Sequence, residues 1–356
     1  EFRFREADFS SYPKGLMYGL DILSSWLYDE EKPFCEVQLL EGFEFLKKAA
    51  EEGYFEELIR KYLLDNTHGS ILSLVPERGL AAKRDQELEE KLENYRSSLS
   101  DEELTKMAEC TKALEAYQES EENPEALTCI PMLSREDIKK EITGLTNEEH
   151  FVDDSLFLYH DVCTNGIGYA DLLFEIHNFD TDTVHYLGLL KSVLGAVDTE
   201  NYSYGELFNE VNARTGGIAY GIEVYDSATD TDAFRAMFAV RGKALYPEMD
   251  FMFSMIREVL TTSRLDDTKR LYEIIARVKS RAQANLVSAG HSTAVLRGAS
   301  YASPMAAFQD EMAGIGYYQF IEKLEKNFDS CKDEIVRSLR RVMEEVLRPE
   351  NFCVSY

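Results

Sequence analysis

Long apolar runs are missing from this 356-residue sequence. No stretch of about 18 apolar residues occurs, which excludes a transmembrane helix. Cationic side chains are in short supply. Lys and Arg number 38 against 66 Asp and Glu, a net charge of −28. Phosphate backbones need a cationic face, so the balance argues against nucleic-acid binding. Docking on anionic lipid is disfavoured for the same reason. The balance permits a cationic partner, although solubility alone accounts for it. Cysteines are few and scattered: Cys35, Cys110, Cys129, Cys163, Cys331 and Cys353, with no CxxC pair. In a chain this long they read as reduced, mostly buried thiols of a cytosol-like compartment. The start, Glu1 to Asp8, shows no apolar leader core, no cleavage site and no initiating methionine. No signal peptide is expected there, and the chain reads as one cut from something larger.

Familiar catalytic spacings are absent as well. The histidines are His68, His150, His160, His177, His185 and His291. None forms HxxEH, HExxH or HxxxH, the spacings that place zinc ligands on one helix face. There is no GxxxxGK[ST] phosphate loop, no GxGxxG after a strand and no GxSxG elbow. Gly314-Ile-Gly316 is a lone GxG and reads as a helix junction. Asp226 to Asp232 lacks the glycine and terminal glutamate of a calcium loop and reads as a solvated turn. Trp26, the only tryptophan, follows an apolar helical pattern and reads as core. His291, in Ala-Gly-His-Ser-Thr, lies at an expected helix irregularity, where a structural and a functional role stand equally open.

What is present suits a folded protein, with 44% hydrophobic and 12% aromatic residues. The acidity is uneven: residues 1–150 carry −17, 151–250 carry −12, and 251–356 carry +1. Leu16, Leu20, Leu23 and Leu27 repeat at helical spacing after Pro13. Further helices are expected over 37–51 and 54–64, the latter ended by Asn66-Thr-His-Gly69. Ile71-Leu-Ser-Leu-Val75 reads as a short buried strand closed by Pro76, whose partners must come from elsewhere. Leu88, Leu92, Tyr95 and Leu99, then Leu104, Met107, Thr111, Leu114 and Gln118, mark two otherwise charged helices with narrow seams. Ser100-Asp-Glu-Glu103 fits a capping box between them, so residues 80–122 read as an antiparallel helical hairpin. Glu119 to Glu125 is its exit linker.

Beyond residue 130 the pattern changes. Ser134-Arg-Glu-Asp137 caps a short helix ending near Gly144. Strands are expected over 155–163 and 167–177, joined as a hairpin at Asn165-Gly166. That register buries Phe157, Tyr159, Leu172, Phe174 and Ile176, and turns His160, Asp171, Glu175 and His177 to the other face. It also places His160 opposite Asp171, with Cys163 near by. A metal or catalytic site needs further ligands, so the two read as a polar cross-strand pair. Helices over 182–196 and 204–214 follow, the second capped by Ser203 and Glu206. Strands over 217–225 and 233–243 come next, then helices over 247–261, 266–289, after Pro304, 316–328 and 332–347. This order predicts an α+β fold: an antiparallel sheet with helices packed on one side, preceded by the helical hairpin and a partial α+β domain.

Several segments together resemble the pitrilysin/insulysin zinc metallopeptidases, in the presequence-protease branch. They are Tyr12-Pro-Lys-Gly-Leu16; Glu57 through Tyr62 to His68; the hairpin region; Ile130-Pro-Met-Leu133 with Asp137-Ile138; Thr164-Asn-Gly-Ile167 with Tyr169; Gly216-Gly217; and Gly290-His291 through Arg297 to Ser300-Tyr301. The resemblance covers nearly the whole chain. It implies four related α+β domains, with a helical hairpin joining halves that close like a clamshell around a peptide. Residues 1–79 then correspond to the end of a second domain, 80–129 to the hairpin linker, and 130–356 to a catalytically inactive third domain. The family's zinc site lies on an HxxEH helix in its first domain, and no residue here matches it. No catalytic residue, no metal ligand and no cofactor is therefore expected in this chain, and inactivity alone is expected. Zinc is implied only for the parent protein.

The resemblance makes the chain the non-catalytic central portion of a zinc metalloendopeptidase, supplying hinge and chamber wall. Its partners would be an unfolded, possibly basic peptide and the first and fourth domains. If the polar sheet face lines the chamber, Asp171, Glu175 and His177 are the residues expected to meet substrate. An exposed strand edge is a second place for peptide to add. The alternatives are a non-peptidase relative serving as an assembly subunit, or an acidic peptide-binding module. A bacterial cytoplasm is the expected compartment, with a mitochondrial matrix or other organelle as alternative.

Overall fold

Alternation from Tyr169 to Ile176 shapes a central strand of the protein. Ala170, Phe174 and Ile176 are buried and Leu172 nearly so, while Tyr169, Asp171 and Glu175 turn the other way. The computed structural model describes residues 1–356 except 8, 10, 11, 121–124, 126, 127, 130, 139, 142, 143, 145, 154 and 231. The chain divides into two compact units, Glu1–Leu40 with Gly144–Tyr356, and Glu41–Thr143.

The larger unit contains a six-stranded sheet. Its strands are β1 (Glu148–Val152), β2 (Ser155–Tyr159), β3 (Ile167–Ile176), β4 (Ile218–Asp226), β5 (Phe234–Leu245) and β6 (Phe352–Ser355), in the order β1-β2-β6-β3-β5-β4. All neighbours pair antiparallel except β2 and β6. The fold is α+β, as expected. The β2–β3 hairpin, however, does not form. Asn165 and Gly166 do take left-handed φ values of 54° and 82°. The turn they make feeds β3 from a loop, and β6 occupies the place between the two strands. A strand nearly 200 residues downstream satisfies the β3 edge, a long-range pairing that turn chemistry does not encode.

In chain order, α1 (Phe2–Glu6) and α2 (Lys14–Trp26) come first, followed by α3 (Leu40–Glu51), α4 (Tyr54–Ile59), α5 (Leu80–Ser98) and α6 (Asp101–Glu119). α7 (Thr181–Val193), α8 (Tyr204–Arg214), α9 (Met249–Thr262) and α10 (Thr268–Ser288) come after β3. α11 (Gly290–Ala299), α12 (Pro304–Ala313), α13 (Ile315–Lys326) and α14 (Phe328–Val346) lead to β6. The helices that follow β3 cover the inner face of the sheet. α7 is buried around most of its circumference and is the centre of the core. α14 buries a stripe of Ile335, Leu339, Val342 and Val346. Gly242 of β5 lets Met252 of α9 rest on the sheet, since a Cβ there would lie 2.6 Å from the sulfur. Both expected boxes cap their helices: Ser100 accepts from the Glu103 amide, and Ser203 from that of Glu206.

In the smaller unit, α4 continues into a π turn over Arg60–Leu64, and Asn66 Nδ2 donates to the Tyr62 carbonyl at its end. α5 and α6 occupy the expected hairpin residues, broken at Leu99-Ser100, yet Leu88, Leu92, Tyr95 and Leu114 stay about half exposed.

Several expectations are corrected. Residues 71–75 form no strand, and Ile71 and Leu74 are 98% and 88% exposed. Apolar β-formers without a neighbouring strand leave their backbone to water. Trp26 is 49% exposed and α2 buries no residue, so its apolar stripe is uncovered instead of forming core. Four of the six cysteines, in loops, turns and on α6, are exposed, and two, Cys331 on α14 and Cys353 in β6, are half-buried. At Ser134 the side chain bonds Asp137, but the residues that are described there form turns and bends, not a helix. Residues 139, 142 and 143 of that expected helix, 121–124 of the exit linker, Ile130 of the resemblance and 231 of the acidic turn lie outside the described residues. No helix is long and apolar enough to cross a membrane among the described residues.

Candidate functional site

The outer face of the sheet is the polar one. Alternation places Tyr169, Asp171, Leu173 and Glu175 of β3 beside Arg235, Arg241 and Lys243 of β5, with Glu223 of β4 beyond. Arg241 Nε donates to Asp171 Oδ2 at 3.0 Å, and its Nη1 to Glu223 Oε1 at 2.9 Å. Partial burial would lower the Arg241 pKa, but the two carboxylates outweigh it and hold the guanidinium above its ordinary value. Arg235 meets Glu175 with two bonds, of 2.9 and 3.1 Å. This fork geometry fixes direction as well as charge.

α1 lies on one corner of this face. Glu6 accepts from Lys243 Nζ and from the Tyr169 hydroxyl. Burial, and then that hydrogen bond, push the Tyr169 phenol up to about 12, so it remains a donor at neutral pH. Arg5 Nη1 donates to the Asn165 carbonyl at 2.9 Å, and Asn165 Nδ2 to the Arg5 carbonyl. The left-handed turn is thus held by a segment 160 residues away.

Two depressions open here. One, of about 740 Å3, is lined by His160, Tyr169, Asp171, Tyr246, Ser355 and their neighbours. The other, of about 210 Å3 at the end of β3, is lined by Glu175, His177, Asn178, Glu345 and Arg348 among others. Asp171, Glu175 and His177 therefore share one strand face or its continuation, but they divide between two depressions. Asp171 and Glu175 are already tied to arginines, while His177 is exposed.

The expected His160–Asp171 pair does not exist. His160 lies beyond the end of β2, with Nδ1 at 2.9 Å from the Thr146 carbonyl and Nε2 at 3.0 Å from Ser355 Oγ. The carbonyl must receive a proton from Nδ1, so the neutral ring accepts from Ser355 through Nε2. A carbonyl orients this histidine without compensating an imidazolium charge, unlike the carboxylate of a catalytic triad. The arrangement positions Ser355 as a hydrogen-bonding group. Asp171 faces Ser355 only as its register partner across β3 and β6.

Among the described residues no three of His, Cys, Asp or Glu come together as a metal-binding group. His185 binds Glu311 at 2.7 Å and His150 lies 3.5 Å from Glu148, each as a pair. No group of the described residues fits a zinc ion. Sequence reasoning missed Arg235, Arg241 and Ser355. The two arginines were legible as alternate polar positions of a strand. Ser355 was not, because β6 is a four-residue strand at the end of the chain, too short to show an alternating pattern.

Residues 74–324 match the family described as associated with the M16 peptidases of subgroup C. "Protein HypA" of Clostridium perfringens is 35% identical over all of this chain, which covers 36% of that protein. "Presequence protease 1, chloroplastic/mitochondrial" of Arabidopsis thaliana is 28% identical over 99% of this chain and 33% of its own length. "Presequence protease, mitochondrial" of Yarrowia lipolytica is 26% identical over 86% of this chain and 31% of its own. The chain spans about a third of the length of the curated relatives it matches. The family match takes in most of the chain, including α5, α6 and the greater part of the larger unit, and so this chain belongs to the family associated with the M16 peptidases of subgroup C.

Proposed function

We propose that this chain is the non-catalytic wall and hinge portion of an M16-type zinc endopeptidase that degrades unfolded peptides inside a closing chamber. One observation carries the reading. The sheet places its helices on one face and presents the other as a row of paired, hydrogen-bonding side chains, while no residue set among those described fits the metal. The relatives named presequence protease supply the substrate class. Unfolded peptides offer backbone groups and scattered charges. Ser355, Tyr169, Tyr246 and the arginine–carboxylate pairs suit such a ligand because they can exchange partners. The charge of −28 favours encounter with basic peptides through its long-range field. α5 and α6 are the hinge in this reading.

The test is complementation. The 356-residue chain, incubated with zinc and an unfolded basic peptide, is expected to release no cleavage product. Adding the remainder of the natural protein as a separate chain is expected to produce chelator-sensitive hydrolysis. Peptide hydrolysis with stoichiometric zinc in this chain alone would overturn the proposal. So would a complete natural protein that lacks HxxEH, which would favour the assembly-subunit reading.

A further inference from the structure

Away from the peptide-facing side, a cavity of about 270 Å3 opens beside α7 and α10. Its lining is Lys191, Ser192, Tyr220, Arg277, Val278 and Arg281. Three of these six are cations and none is an acid. Tyr220 reaches it from the inner face of β4, opposite Val240 in register. None of the three cationic side chains forms an ion pair or a hydrogen bond to a described residue.

Two other cations of α10 do find partners. Arg270 donates to the Ala196 carbonyl and to Glu273, and Lys279 to Glu325 at 2.8 Å. Arg277 and Arg281 stand four residues apart on one helix face, where like charges repel. Burial pulls the Lys191 ammonium below its ordinary pKa, with no carboxylate to oppose it. A chain with 66 acids places none of them in this lining. An anion would oppose both effects together.

We propose that this cavity binds a small phosphate-bearing anion. Two guanidinium forks and an ammonium match a ligand with several oxygens and more than one negative charge. Ser192 and Tyr220 add hydroxyl donors, and burial raises the Tyr220 phenol so that it keeps its proton. The phosphate is free inorganic phosphate or the phosphomonoester of a small organic molecule. The site is independent of the peptide-facing side and of the proposed peptidase role.

Titration calorimetry on the full 356-residue chain tests it, with inorganic phosphate and glycerol 3-phosphate as probes and sodium chloride at matched ionic strength as control. Saturable 1:1 heat is expected with at least one phosphate probe and none with chloride. Equal affinities identify free phosphate as the ligand, and tighter glycerol 3-phosphate identifies a phosphomonoester. R277Q/R281Q is expected to weaken binding at least about tenfold, the loss of charge-assisted bonds. Should that double variant lose its helical circular dichroism, R281Q alone, which keeps Arg277, is expected to weaken binding severalfold. No saturable heat with either phosphate, equal heat with chloride, or unchanged affinity in a folded variant would overturn the proposal.

Discussion

Arg297 Nη1 lies 2.6 Å from Asp310 Oδ2, and that carboxylate is fully buried. Asp310 also accepts from the backbone amides of Ile315 and Gly316, at 3.1 and 3.2 Å. One side chain thus joins α11, the end of α12 and the start of α13. It also explains Gly314, whose Cβ would fall 2.4 Å from Asp310 Oδ1. Asp310→Ala leaves two amides and a guanidinium without their acceptor. A loss of about 3 kcal/mol is expected in urea unfolding; a loss below about 1 kcal/mol would contradict this role.

Gly188 marks the closest approach of α7 to its neighbours. A Cβ there would sit 2.8 Å from the Met312 carbonyl oxygen and 2.8 Å from the Tyr317 ring. Gly→Ala in a helix ordinarily stabilises by up to about 1 kcal/mol. Here overpacking outweighs propensity, and Gly188→Ala is expected to destabilise by about 2 kcal/mol. The sign of the change in thermal midpoint decides the matter.

Glu258 governs part of the acid response. Burial would raise its pKa, but bonds from the Asn201 side chain and amide, with Thr199 and Thr262, draw it down to about 2. A carboxylate that titrates at about 4.5 unfolded and about 2 folded stabilises above pH 4.5. That contribution disappears as pH falls from 4.5 towards 2. Glu258→Gln is expected to cost about 1–2 kcal/mol at pH 7 and little at pH 2, because partial exposure weakens the full linkage effect. Parallel stability–pH curves for the two proteins would refute the assignment.

Asp171, Arg241 and Glu223 form a half-exposed ladder, so its worth to stability is small. Asp171→Asn is expected to change unfolding by less than about 1 kcal/mol. In the complemented peptidase the same variant is expected to raise KM for a basic peptide and leave that for a neutral peptide unchanged. Equal KM values for both peptides would remove Asp171 from substrate contact.

Ile71 to Val75 present an apolar, β-prone and exposed segment. Such segments seek a partner strand. Ile71→Lys with Leu74→Lys is expected to reduce self-association of this chain at high concentration, as seen by light scattering. Unchanged scattering would show that these residues are not the contact.

Local chemistry reads well from sequence where the deciding interaction is itself local. Ser100-Asp-Glu-Glu103 and Ser203-Tyr-Gly-Glu206 carry their capping partners three residues away. The stripes of α9, α10 and α14 are legible because burial and helix period coincide. The facing of Asp171 and Glu175 follows from alternation within one strand, and holds although the assumed neighbour strand was wrong.

Sequence by itself therefore determined the α+β class, most helices, the polar face of β3 and the lack of a helical zinc motif. Tertiary structure alone decided that β6 lies between β2 and β3, that His160 bonds Ser355 instead of Asp171, and that α1 holds the turn at Asn165. It also decided which apolar stripes are covered: α7 is engulfed, whereas α2 and residues 71–75 stay open. The physical reason is one of range. Caps, turns and periodicity are set by neighbours a few residues apart, whereas strand order, ion-pair partners and burial are set by surfaces that meet only after the chain has folded.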